Sequence, residues 1–164
     1  MHELIEPHIP ALRRYAWGLC RHAQDADDLV QDCLTRALQG WHSRRPEGSV
    51  RAWLYTILYN GFVSDRRREK HRPRGVPGDE PMMHATQEHR LMLDDVGAAL
   101  SSLPEEQQTV LLLVAVEDFS YAEAAKILDV PIGTVMSRLS RGRERMRQML
   151  DDNGESETKL RRVK

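Results

Sequence analysis

Apolar residues recur every three or four positions along most of the chain, and the breaks in that rhythm divide it. Residues 3–20 carry Leu4, Ile5, Ile9, Leu12, Tyr15, Ala16 and Leu19 at helical spacing, with Pro7 and Pro10 moving the start of regular helix to about residue 10. Residues 25–41 place Ala26, Leu29, Val30, Cys33, Leu34, Ala37 and Leu38 on one face and Asp27, Asp28, Gln31 and Asp32 on or beside the other. Asp25 is positioned to cap that helix. The break "HSRRPEGS" precedes a third helix, 49–69, which is apolar nearly all round as far as Phe62 and basic thereafter. Pro73, Pro77 and Pro81 with Gly75 and Gly78 then end helical continuity.

Four more helices follow. Residues 88–101 carry Leu91, Leu93, Val96, Ala99 and Leu100. Residues 104–116 open on Pro104, Glu105 and Glu106, suited to a helix start. Their apolar run 110–116 would permit a buried strand, but the proline–acid entry favours a buried helix. Ser120 and Glu123 have capping-box spacing and start a short helix with Tyr121, Ala124, Ala125 and Leu128 on one stripe. A last helix covers 131–150, with Pro131 near its first position, and 151–164 lacks an apolar period and reads as a frayed or disordered tail. The expected fold is all-α: two small helical domains, 1–70 and 88–150, joined by a flexible linker, 71–87, that lets them move independently.

Composition narrows the class. Leu, Ala, Arg and Glu each outnumber Val and Ile, which favours helix over strand. No apolar run reaches the roughly 18–20 residues of a membrane span, and the opening "MHELIEPHIP" has no leader-like apolar segment. Two cysteines, Cys20 and Cys33, form no CxxC pair, so a cytoplasmic protein with reduced thiols is expected. Seven histidines form no HxxxH or HExxH pattern, and no phosphate-binding glycine loop or catalytic triad spacing occurs. An enzyme is not expected, nor any metal or cofactor. Net charge is −1, which gives no global attraction to polyanions, yet Arg66, Arg67, Arg68, Lys70, Arg72 and Arg74 stand together against Asp65 and Glu69.

The stretch "VPIGTVMSRLSRGRERM" carries the chemistry. On a helix, Ile132, Val135, Leu139, Gly142, Met146 and Met149 fall on one side, and Thr134, Ser137, Arg138, Arg141 and Arg145 on another. A short capped helix, a tight turn and a longer helix with a basic face make a helix-turn-helix pattern. Arginine, serine and threonine suit base edges and phosphates in a major groove.

With these motifs in order, "LPEEQQTVLLLVAVEDFSYAEAAKILDVPIGTVMSRLSRGRERMRQML" resembles region 4 of a bacterial extracytoplasmic-function (ECF) RNA polymerase sigma factor of the sigma-70 family. "DADDLVQDCLTRAL" followed by "VRAWLYTILYNGFVSDRRRE" resembles region 2. The resemblance covers about 5–150. It implies that Asp28, Gln31 and Asp32 meet the β′ clamp helices of core RNA polymerase. It implies that His42, Ser43, Arg44, Arg45 and Ser49, in the loop before the third helix, with Asn60, Arg66 and Arg67, contact the −10 element of promoter DNA. It implies that Thr134, Met136, Ser137, Arg138, Ser140, Arg141 and Arg143 contact the −35 element. Met136 departs from the basic residue often found at its place and suggests an altered −35 preference. Docking of region 4 on the β-flap and control by an anti-sigma factor, at stress-response genes, are implied as well. The alternative function is a stand-alone helix-turn-helix regulator, which accounts for 104–150 but not for the acidic helix at 25–38.

Overall fold

The computed structural model describes the backbone of residues 1–69 and 96–161, with side chains for 1–68 and 96–151. All regular elements among the described residues are helical. In chain order they are α1 His2–Ile5, a 3₁₀ turn Glu6–His8, α2 Ile9–Cys20, α3 Ala23–Gly40, a 3₁₀ turn Trp41–Ser43 and α4 Val50–Glu69. Then come α5 at 96–102, α6 Glu105–Leu111 running into a π-helical turn Leu112–Val116, α7 Tyr121–Leu128 and α8 Ile132–Arg161. The 71–87 linker, Lys70, Arg72, Arg74, Leu91 and Leu93 lie outside the described residues.

Local chemistry sets the boundaries. Arg21 turns left-handed at φ 58° and its N–H closes α2 on the Trp17 carbonyl at 2.8 Å. His22 is then extended and takes the cap position of α3. The expected cap, Asp25, instead lies in the first turn with its carboxylate 3.5 Å from His22 Nδ1. Pro104 and Pro131 each sit one residue ahead of their helices rather than inside them. The capping box at α7 is complete: Ser120 Oγ accepts from the Glu123 N–H at 3.2 Å, and Glu123 accepts from the Ser120 N–H at 3.0 Å. At its far end α8 continues to Arg161, into the segment expected to fray.

The amino-terminal core joins Leu12, Tyr15, Ala16 and Leu19 of α2 to Leu29, Val30 and Cys33 of α3 and to Leu54, Tyr55, Leu58 and Phe62 of α4. The carboxy-terminal core joins Val110 and Leu113 to Phe119, Ile127, Val135 and Leu139. Leu4, Leu38, Val96 and Ile132, read as core-facing, are exposed instead.

The two cores are continuous, with the halves packed against each other. Tyr55 packs its ring edge-on against Phe119 with centroids 4.8 Å apart. Gln108 Nε2 donates to the Gly18 carbonyl at 2.7 Å. Gly18 leaves room for a side chain of the other half: a Cβ there would stand 2.8 Å from Leu112 Cδ2. The π-turn supplies this fit. The Glu117 N–H bonds the Leu112 carbonyl five residues back at 2.9 Å, and Asp118 turns left-handed at φ 58°. Together they bring Glu117 and Phe119 onto the amino-terminal half.

Candidate nucleic-acid and polymerase interface

Helix α8 is seated by Val135, Leu139 and Gly142, all buried. Gly142 permits a close crossing, because a Cβ would meet Leu111 Cδ1 of α6 at 2.9 Å. At about 100° per residue the seven −35 candidates spread over roughly 220° of the helix. Met136, Ser140 and Arg143 flank α7, where they line a groove with Tyr121. Ser137 and Arg141 occupy the outermost face and are exposed. Thr134 and Arg138 are half-buried on the α6 flank. There Arg138 Nη2 is 3.1 Å from Glu106 Oε2, and the arginine side chain is only 21% exposed. The arrangement presents hydroxyls, one thioether and two arginines outward, and holds a third arginine back on an acid.

Tyr121 was assigned by periodicity to the packed stripe of α7, yet it is exposed beside Met136. A capped helix start projects its first side chain outward, and that capping pattern was the available signal.

The loop before α4 holds itself. Ser43 Oγ donates to the Gly40 carbonyl at 2.8 Å. Arg44 Nη1 donates to the Arg45 and Gly48 carbonyls at 3.0 and 2.7 Å, with its guanidinium 5.1 Å from the Trp41 ring centroid. Ser49 Oγ accepts from the Ala52 N–H at 3.2 Å and so caps α4. His42 and Arg45 are exposed. Within α4, Asn60 is exposed rather than part of a buried network, and it shares a groove with Val63, Ser64, Arg67 and Arg68. Arg66 points elsewhere: its Nε is 3.5 Å from Glu105 Oε2 and its guanidinium lies 5.3 Å from the Phe62 ring centroid. Asn60 and Arg67 are therefore brought together, and Arg66 is not with them.

On α3, Asp28, Gln31 and Asp32 are exposed on one face. Gln24 donates to Asp28 at 3.1 Å, and Arg36 is 3.2 Å from Asp32. Leu29 and Val30 beneath them are buried and anchor that face to the core.

One polar site escaped sequence reasoning altogether. The Glu117 side chain is 0% exposed. Arg14 reaches it from α2 with Nε at 2.8 Å from Oε1 and Nη2 at 2.9 Å from Oε2. The Tyr55 hydroxyl donates to Oε2 at 2.6 Å. Arg51 Nη2 donates to the Glu117 carbonyl, and its guanidinium stacks 3.9 Å over the Phe119 ring centroid. The hydrogen bond that Arg14 donates to Glu117 pushes the Arg14 pKa up. Burial, then the bond to Glu117, pushes the Tyr55 hydroxyl well above its ordinary value. The signal in the sequence was a lone acid closing the run "LLLVAVED", which reads equally well as a solvated helix end.

Comparison with known proteins accords with this architecture. Residues 5–59 match the family described as the Sigma2 domain of PhyR, and residues 93–146 match Sigma-70, region 4. The chain is 39% identical over 149 residues to the ECF RNA polymerase sigma factor EcfG of Rhodopseudomonas palustris, covering 89% of this chain and 82% of that protein. Among solved structures, the sigma factor RpoE in complex with the anti-sigma factor NepR from Bartonella quintana superposes with a TM-score of 0.79 at 37% identity, over 90% of this chain and 94% of that one. CnrH in complex with the cytosolic domain of CnrY gives 0.71 at 27% identity, over 92% and 86%. A two-part helical protein with an exposed helix-turn-helix is the class the fold defines. The chain belongs to the ECF RNA polymerase sigma factors, which direct promoter recognition and are not themselves enzymes. No described helix is long and apolar enough to cross a membrane.

Proposed function

We propose that the chain works in the cytoplasm as a stress-response sigma factor whose two halves divide the promoter between them. Asp28, Gln31 and Asp32 meet the β′ clamp helices of core polymerase. Asn60 and Arg67, with His42 and Arg45 from the loop, contact the −10 element and hold an unstacked base, while Ser43, Arg44 and Ser49 shape that loop. Met136, Ser137, Ser140, Arg141 and Arg143 contact the −35 element, with Thr134 and Arg138 at the edge of the footprint and Arg66 joining once it leaves Glu105. A carboxy-terminal surface docks on the β-flap, and an anti-sigma factor restrains the protein, as its relatives are restrained in the structures with NepR and CnrY.

The observation that carries this reading is the pairing of an exposed acidic face on α3 with an exposed hydroxyl-and-arginine face on α8 in one chain. A stand-alone regulator needs only the second. In vitro transcription with core polymerase on a genomic fragment library, with start sites mapped, tests it. Transcripts sharing two spaced upstream elements are expected. Tight binding of bare duplex with no transcripts would return the protein to the regulator class.

A further inference from the structure

We propose that Met136 reads a thymine of the −35 element through its 5-methyl group, so that the amino-terminal end of α8 selects an A·T pair. The proposal rests on the promoter reading above and names the base chemistry that this face of the helix meets.

The start of α8 has few cations to offer a base. From Ile132 to Ser140 the sequence holds one positive side chain, Arg138. That arginine lies on the α6 flank, 3.1 Å from Glu106, with its side chain 21% exposed. At about 100° per residue it stands roughly 160° around the helix from Met136. On the Met136 side the next cation is Arg143, seven residues on, which is roughly 10 Å along the axis. The bidentate contact of an arginine with guanine is therefore not on offer beside Met136.

What this end presents instead is apolar. Met136 is 51% exposed, and Ile132, one turn before it, is 49% exposed. The two stand about 6 Å apart along the axis and about 40° apart around it. Tyr121, itself exposed, borders Met136 in the groove between α7 and α8. Gly133 fits no protein neighbour, since a Cβ there would meet nothing within 4 Å. No side chain at that position holds the helix off the floor of a groove.

Charge decides what covers the patch. From Pro131 to Arg143 there is no acid, and there are three arginines. The exposed hydroxyls of Ser137 and Ser140 adjoin Met136. A major groove satisfies such a surface with phosphates and base edges. Within that groove the thymine 5-methyl is the apolar group that a base edge supplies. A thioether cannot donate to guanine O6 or N7, so guanine against Met136 would lose the hydration of its acceptors with no replacement. A thymine methyl gains contact with a flexible, polarizable side chain.

Holoenzyme, assembled from core polymerase and the full chain, is assayed by in vitro transcription on a promoter taken from the mapped start sites. Each thymine of the upstream element, on either strand, is replaced singly by uracil, which removes the methyl and keeps every pairing group; the −10 element is left intact. At one such position the wild type should need about fourfold more template for half-maximal transcription, the effect of one buried methyl. Met136→Leu should keep that sensitivity. Met136→Ala should lose it and need more of the thymine template. Met136→Lys should be indifferent to uracil, and the salt dependence of its half-saturating concentration should steepen by about one contact. Position 136 is exposed, and all three replacements suit a helix, so the variants fold. Equal responses to uracil in the wild type and Met136→Ala overturn the proposal, as does no response at any position or an upstream element without an A·T pair. Holoenzyme that transcribes from no template removes the promoter reading and this proposal together. Transcription that is blind to uracil leaves the promoter reading standing and removes only the role of Met136.

Discussion

The seam between the two halves and the flank between α6 and α8 are each closed by a glutamate on an arginine, and they differ in nearly everything else. At the seam, Glu117 is fully buried and accepts four hydrogen bonds from three side chains on two helices of the other half, counting the one on its carbonyl. At the flank, Glu106 is 69% exposed and touches Arg138 once. Exposed pairs contribute roughly 0–1 kcal/mol, whereas removing one member of a buried pair costs about 3–5 kcal/mol. The same two residue types therefore make a structural determinant in one place and an easily released partner in the other. Glu123 falls between them: it is half-buried and bound to the start of its own helix.

The largest expected effect follows from Glu117→Leu. It should lower the urea midpoint by the equivalent of about 3 kcal/mol, near the bottom of the range for a broken buried pair because Arg14 keeps access to water. A loss no greater than that of a Glu106 substitution would erase the distinction between seam and flank. Tyr55→Phe keeps the ring against Phe119 and removes only the hydroxyl that Glu117 accepts at 2.6 Å, so a loss of about 1–2 kcal/mol is expected in the same assay.

Ser120→Ala tests the intermediate case and should cost about 1 kcal/mol in thermal unfolding. The backbone hydrogen bond from Ser120, then its hydroxyl, holds the Glu123 pKa below the ordinary carboxylate value of 4.5. A lowered folded value means this stabilisation is complete above 4.5 and fades as pH falls through the folded pKa. Acid titration of the melting temperature should show that loss in the wild type and a flatter profile in Glu123→Gln.

Glu106→Gln should change stability by less than about 0.5 kcal/mol. Its effect belongs to DNA: Arg138 is released, promoter affinity rises, and the slope of log affinity against log salt steepens by about one contact. Anisotropy at several salt concentrations measures it. The smallest change expected is none at all at Cys33. Burial pushes its thiol up to about 12, and it donates to the Leu54 carbonyl at 3.4 Å. A thiol reagent at pH 8 should therefore leave Cys33 unmodified until the protein is unfolded.

Much of the fold was legible in advance because helical periodicity, proline placement and capping patterns are local. The helices at 49–69 and 104–116, the Ser120–Glu123 box and the buried positions Val135 and Leu139 follow from residues within a few places of one another. The candidate site was legible where it depended on one helix alone, as with Ser137 and Arg141 on the outer face of α8 or Asp28, Gln31 and Asp32 on α3. It was not legible where two helices compete for a side chain. Arg138 and Arg141 lie about 60° apart on a helical wheel, and Arg138 is the one with Glu106 beside it. Arg66 and Arg67 are neighbours in sequence, yet one faces Glu105 and the other an open groove.

Local patterning was thus enough to determine an all-helical chain with a helix-turn-helix near its end, because those features are set by interactions within one or two turns. The joining of the halves was decided only in three dimensions. Arg14 and Glu117 stand 103 residues apart, and nothing in either neighbourhood states that one will be the other's partner. A carboxylate at the end of an apolar run is costly to bury and inexpensive to leave in water. Only the convergence of Arg14, Arg51 and Tyr55 on one point makes the buried choice the stable one.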